Sequence, residues 1–148
     1  MKILINRILK ELEALPPYDY QIALQGVQGQ TDPFYGIGKL AGLQHKEPDF
    51  IHPIFPELKY TNKVLFDLGM CRSRLMLLKP SSCYSYHKDA SERIHIPLIT
   101  NENCFMVIED EVIRYPADGS HYLINTTKMH TAINASKEDR LHIVGCVY

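Results

Sequence analysis

The chain has no apolar run near the roughly 18 residues that a membrane-spanning helix needs. It has no basic arm or cluster either. With 16 Lys+Arg against 17 Asp+Glu, it lacks the electrostatic footprint of a nucleic-acid binder. Its four cysteines, Cys71, Cys83, Cys104 and Cys146, form no C-x-x-C pair, which argues against a zinc knuckle and a dithiol redox motif. The N-terminal stretch MKILINRILKELEALPP is not expected to be a signal peptide. Arg7, Lys10, Glu11 and Glu13 interrupt any apolar core there. These absences together lead to the expectation of a cytoplasmic protein with free thiols, acting neither on nucleic acid nor in a membrane. Internal repeats, low-complexity tracts and linkers are also lacking. A length of 148 residues then fits one domain spanning the whole chain.

Two textures divide the sequence near residue 70. Before it, residues 3–15 read as an amphipathic helix, with Ile5, Ile8, Leu9 and Leu12 at helical spacing and Pro16-Pro17 as its stop. YDYQIALQGVQGQ reads as a strand entering a polar loop. Residues 29–57 are rich in Gly and Pro and predict irregular structure with a short strand or two. Residues 58–68 predict a short helix ended by Gly69. From residue 70 onward there are about eight strand-like runs: 71–79, 82–87, 93–99, 103–109, 111–115, 120–126, 129–134 and 140–147. Turn residues separate them. This is the pattern of a β-sandwich or barrel, and a jelly roll needs about eight strands. The first 69 residues are expected to pack on this β core as an elaboration.

The chemistry concentrates in YSYHKDASERIHIPL. His87 and Asp89 are two residues apart, which on a strand points both side chains to one face. His130, in NTTKMHTAIN, is the best candidate for a third ligand. Two histidines and a carboxylate form the facial triad of non-haem Fe(II) oxygenases. An H-x-D pattern alone also fits an exposed pair beside a turn. Arg140 follows His130 by ten residues. If residues 135–138 make a hairpin turn, Arg140 lies beside Ala132 or Ile133, roughly 7–10 Å along from His130. A five-carbon dicarboxylate could then bind the metal at one end and a guanidinium fork at the other. The competing role for Arg140 is a surface ion pair with Glu138 or Asp139. Arg93 and His95 share one face of RIHIPLI and should look into the pocket, whereas Ile94, Ile96 and Leu98 pack outward. Arg93 could also be a solvated strand end.

The order H-x-D, R-x-H-x-P-L, then H with R ten residues on resembles the aspartyl/asparaginyl β-hydroxylase-like group of 2-oxoglutarate/Fe(II) dioxygenases. RLMLLKPSSCYSYH resembles the strand leading to the first ligand, and HTAINASKEDRLHIV the closing hairpin. The resemblance covers about residues 70–148. It implies a mainly β protein with a cupin-like double-stranded β-helix, or jelly roll. It implies Fe(II) on His87, Asp89 and His130, the distal carboxylate of 2-oxoglutarate on Arg140, and Arg93 and His95 steadying the metal-proximal end. O2 would be the oxidant, and an aspartyl, asparaginyl or prolyl side chain in a peptide or free amino acid the substrate. Asp89 matches the bacterial proline hydroxylases of the group, whereas the animal enzymes lack the acidic ligand. Met76 stands where the animal enzymes have a serine that helps bind the distal carboxylate. The core is expected to carry no membrane anchor or helical-repeat region and so resembles a minimal catalytic unit.

Two other readings stay open on the residues alone. One is a metal-dependent cupin-like enzyme without a 2-oxo acid, which would have no need of Arg140. The other is a jelly-roll binding module, which would not require all three ligands to converge. Among the remaining polar residues, His142 is read as a packed or hydrogen-bonded core histidine and His121 as exposed. Tyr84 and Tyr86 are read as rim or core. Gln25, Gln28 and Gln30 could line the pocket mouth or be ordinary polar positions.

Overall fold

The structure is a computed structural model describing residues 1–148. Helix α1 spans Ile5–Leu12, shorter than the expected 3–15. Leu4 offers no capping side chain at its start, and residues 13–15 continue only as tight i→i−3 turns. Helix α2 spans Lys59–Asp67 and ends as expected at Gly69. There φ is 64°, and the amides of Gly69 and Met70 donate to Phe66 and Leu65 in a Schellman closure. Between the helices lie strands β1 (Gln21–Ala23), β2 (Gln25–Gly26) and β3 (His52–Pro53), with a 3-10 turn at Glu47–Asp49.

Eight strands follow: β4 (Cys71–Leu78), β5 (Ser82–Cys83), β6 (Arg93–Ile99), β7 (Cys104–Ile108), β8 (Glu111–Ile113), β9 (Tyr122–Ile124), β10 (His130–Asn134) and β11 (Arg140–Cys146). They form two antiparallel sheets, in the orders β1-β4-β11-β6-β9 and β5-β10-β7-β8. The sheets meet face to face through Leu78, Met106, Ile124 and Ala132. The protein is mainly β, a cupin-type jelly roll with two added helices.

Strand parity decides which chemistry enters the space between the sheets. On β6, Ile94, Ile96 and Leu98 point outward and join Ile8, Val64 and Leu65 of the helices, with Leu75 and Ile143, in one buried apolar cluster. Each fully buried aliphatic side chain there is worth about 1.5–3 kcal/mol. The alternate residues of the same strands are polar and buried: Arg72 and Arg74 on β4, Arg93 and His95 on β6, Arg140 and His142 on β11. The main core therefore lies outside the jelly roll, beneath the helices. The inter-sheet space is left for function.

Two local expectations fail. The run 82–87 is not a continuous strand: β5 ends at Cys83, and pairing resumes only at a bridge between His87 and His130. Nor are β10 and β11 hairpin neighbours. β10 pairs with β5 and β7, while β11 pairs with β4 and β6, so residues 135–139 cross from one sheet to the other. Arg140 stands opposite Leu78, not Ala132 or Ile133. The reason lies in Asn134, which is fully buried and donates to Leu78 O and Glu138 O while accepting from the Ser136 amide. These bonds turn the chain out of its sheet.

Candidate metal centre

His87 and His130 are held together by backbone bonds in both directions, His87 N to His130 O at 3.0 Å and the reverse at 2.9 Å. The Asp89 amide donates to Thr126 O at 2.9 Å. These bonds do the work that a continuous strand was expected to do. Candidate ligand atoms of His87, Asp89 and His130 lie within 4.8 Å of one another. Each histidine Nε2 is 3.4 Å from an Asp89 carboxylate oxygen. Their Nδ1 atoms are engaged by carbonyls two residues upstream, His87 with Ser85 O at 2.6 Å and His130 with Lys128 O at 2.8 Å. A carbonyl only accepts, so Nδ1 carries the proton in both rings. Nε2 is then the candidate ligand atom of each ring, once any proton it shares with Asp89 has left.

Electrostatics favours a charged carboxylate at Asp89. Burial raises its pKa, but the His130 bond and the Arg93 and histidine charges outweigh burial and bring it to about 2. Arg93 Nε stands 3.7 Å from Asp89. The rest of the Arg93 guanidinium is committed to Glu47, with Nη2 to Oε2 at 2.8 Å, and to Ser91. Arg93 is buried, not a solvated strand end. Glu47 also receives Arg72 at 3.1 Å, Ser91 at 3.0 Å and Tyr148 at 2.6 Å. Burial raises its pKa too, yet the Tyr148, Cys146, Arg93 and Ser91 contacts lower it to about 2. A turn of the N-terminal region thus clamps the arginine that flanks a candidate ligand.

Arg140 is 3% exposed and pairs with neither Glu138 nor Asp139, so the surface ion pair does not exist. Its Nε and Nη1 are buried without partners. A second arginine shares this condition. Arg74 is buried, its Nε has no partner, and its one side-chain hydrogen bond runs from Nη1 to Gln21 Oε1 at 3.1 Å. Burial, with Arg72 nearby, pushes Arg74 down to about 10, which leaves it charged at neutral pH. Arg74 and Arg140 both border a cavity of about 690 Å³ that also contains the His87, Asp89, His130 group and is bordered by Met76 and Tyr84.

His95 faces this cavity as expected, and His142 is the packed, hydrogen-bonded histidine foreseen, with the two Nδ1 atoms 3.1 Å apart. Burial, then the Arg140 charge, lowers His95 to about 3, and burial likewise lowers His142 far below its usual value. Both rings are neutral. Tyr84 reaches the cavity with a buried, unpartnered hydroxyl, and Tyr86 is exposed. His121 is half-buried, not exposed. Gln25 bonds Met70 O and the Ser73 amide, so Gln21 takes the place at the cavity wall. Glu47, Arg72, Arg74 and Gln21 were missed in the sequence. A signal existed for the arginines, because CRSRLMLL alternates Arg with small or apolar residues at period two, as RIHIPL does.

Fold and site together define a cupin-type jelly roll with a His/Asp/His group spaced to hold a metal ion. The family model for aspartyl/asparaginyl β-hydroxylase matches residues 51–147, and the chain belongs to that family. No curated protein matches it. Among solved structures it is similar to a protein from Photorhabdus luminescens, at 19% identity and TM-score 0.42, over 51% of this chain and 61% of that one. It is also similar to a cupin domain from Bordetella pertussis, at 13% identity and TM-score 0.46, over 52% and 80%. A protein from Thermotoga maritima described as a predicted oxalate decarboxylase matches at 17% identity and TM-score 0.45, over 57% and 72%. The match to the Photorhabdus protein thus spans less than two thirds of its length. No helix is long and apolar enough to cross a membrane.

Proposed function

We propose that this protein is a 2-oxoglutarate- and Fe(II)-dependent dioxygenase that hydroxylates an aspartyl, asparaginyl or prolyl side chain in a peptide or free amino acid. The observation that carries the reading is the Arg140 guanidinium, buried without an anion on the cavity that holds His87, Asp89 and His130. A buried cation left unpaired is costly, so its presence supports an anionic ligand at that end. The donor set also fits, since two imidazoles and one carboxylate suit Fe(II) better than an all-oxygen or thiolate site would.

Fe(II) with 2-oxoglutarate and O2 would supply hydroxylation of an unactivated C–H bond, with succinate and CO2 as co-products. His87, Asp89 and His130 would hold the metal, their tautomers set by Ser85 O and Lys128 O. Arg140 would bind the distal carboxylate in its fork. Arg93 would act through Asp89, keeping the carboxylate ionised and oriented. His95 would donate to the metal-proximal carboxylate. Two neutral rings joined Nδ1 to Nδ1 must be opposite tautomers, and the partnerless His142 Nε2 is less costly as a bare acceptor than as an orphaned N–H. His142 then donates, and His95 presents Nε2–H.

The test is succinate release from 2-oxoglutarate across a panel of amino acids and aspartyl, asparaginyl and prolyl peptides, joined to a co-substrate titration of Arg140→Ala. Loss of a charge-assisted bidentate contact should weaken 2-oxoglutarate binding roughly 30- to 1000-fold and leave metal affinity nearly intact. An unchanged 2-oxoglutarate affinity would favour a metal-dependent cupin-like enzyme that uses no 2-oxo acid.

A further inference from the structure

We propose that Arg74 is the anchor for a carboxylate of the primary substrate, at a subsite separate from the one that Arg140 provides. The inference rests on the oxygenase reading above for the occupant of Arg140. Its own support is the charge balance of the cavity. Arg72, Arg74, Arg93 and Arg140 border the cavity, and the carboxylates there are Glu47 and Asp89. Glu47 takes Arg72 and Arg93, and Asp89 flanks Arg93. Arg74 and Arg140 alone of the four have no carboxylate within reach, and each has a buried nitrogen without a partner. A dianionic co-substrate with one end on Arg140 and the other at a divalent metal would satisfy one of these two arginines. The other would still require an anion, because a guanidinium cannot shed its proton to escape burial.

Position separates the two subsites. On β4, Arg74 stands four residues before Leu78, the partner of Arg140 across the strands, so their backbones are about 13 Å apart. Arg74 lies instead at the level of Val144, where β6 places His95, the candidate neighbour of the metal. A cavity of about 690 Å³ has room beyond a five-carbon dicarboxylate. The guanidinium is also oriented. Gln21 Oε1 accepts from Arg74 Nη1 and from the Gly38 amide, both at 3.1 Å, tying it to the loop at the cavity mouth. The partnerless Tyr84 hydroxyl offers one more polar group on the same cavity, from the opposite sheet, where the Tyr84 amide bonds Ala132 O of β10. A carboxylate held here would sit beside the metal group, where a substrate C–H must be presented.

The experiment uses the full chain loaded with Mn(II) as a redox-silent metal. Titration with 2-oxoglutarate comes first and reports on the oxygenase reading alone. Two matched pairs of probes then report on Arg74: L-proline against L-prolinamide for an α-carboxylate, and N-acetyl-aspartate α-amide against N-acetyl-asparagine α-amide for a side-chain carboxylate. In the wild type, the acid of at least one pair should bind roughly 10- to 100-fold tighter than its amide, and which pair does so identifies the source. Arg74→Met should abolish that preference, and Arg74→Lys should keep part of it. The proposal is overturned if no acid binds better than its amide, or if Arg74→Met keeps the preference. It is equally overturned if Arg74→Met weakens 2-oxoglutarate as much as Arg140→Ala does, which would make Arg74 a co-substrate anchor.

Discussion

Glu47 holds two buried arginines with one carboxylate, and its contribution should be visible in the pH dependence of stability. Its pKa is about 2 in the folded protein and 4.5 in its ordinary state. A depressed folded value means that the stabilisation is present in full above about 4.5 and is lost as pH falls toward 2. The shift corresponds to about 3 kcal/mol at neutral pH. Glu47→Gln should therefore lower unfolding free energy by about that amount at pH 7, since Arg72 and Arg93 lose their shared counter-charge. Denaturation at a series of pH values should show the gap between wild type and variant closing between pH 4.5 and 2. A gap that stayed constant would mean that Glu47 acts through packing. None of this was legible around Glu47 in the sequence, because its partners lie 25 to 101 residues away.

At the level of single elements, α2 illustrates a start signal that is not local. Leu58 occupies the N-cap position and has no side-chain oxygen to offer. Glu11 of α1 does the capping instead, accepting from the amides of Tyr60 and Thr61 at 2.8 Å each and from Thr61 Oγ1 at 2.6 Å. These are the amides that an ordinary N-cap oxygen satisfies. Glu11→Ala should cost about 1 kcal/mol, measured by denaturant unfolding, while metal affinity stays as in the wild type. A larger loss, together with weaker metal binding, would show that the helical layer and the site are coupled through β6. The extent of α2 and its Gly69 stop were readable from the sequence. So was the inward face of β6, because period-two alternation is a property of the strand itself.

For the whole molecule, the prediction concerns how ligands and stability are linked. A ligand that binds only the folded state raises the melting temperature by mass action. Wild type should gain stability from Mn(II) with 2-oxoglutarate, and Asp89→Ala should gain much less. Without ligands, Asp89→Ala should cost the protein on the order of 1–2 kcal/mol, because His130, Arg93 and His87 hold that carboxylate favourably against its burial. Equal ligand shifts in both proteins would count against Asp89 as a ligand and favour a jelly-roll binding module.

The sequence by itself determined the eight-strand region, the inward parity of β6, and which titratable residues would meet. His87, Asp89 and His130 do converge, and Arg140 and His95 border the same cavity. The β6 parity follows from periodicity, which is local and survives any choice of strand partner. The meeting of His87, Asp89, His130 and Arg140 is instead read from a continuous strand and a hairpin that the fold lacks, and from the family resemblance. Only the tertiary structure decided how they meet. The hairpin expected between β10 and β11 is a crossover between sheets, so Arg140 reaches the cavity from the wall formed by β4 and β11, not from beside His130. Likewise the Glu47 clamp and the unpaired state of Arg74 exist only because strands distant in sequence share one interior. Pairing partners and charge balance are sums over the folded neighbourhood, and no short window of sequence contains them.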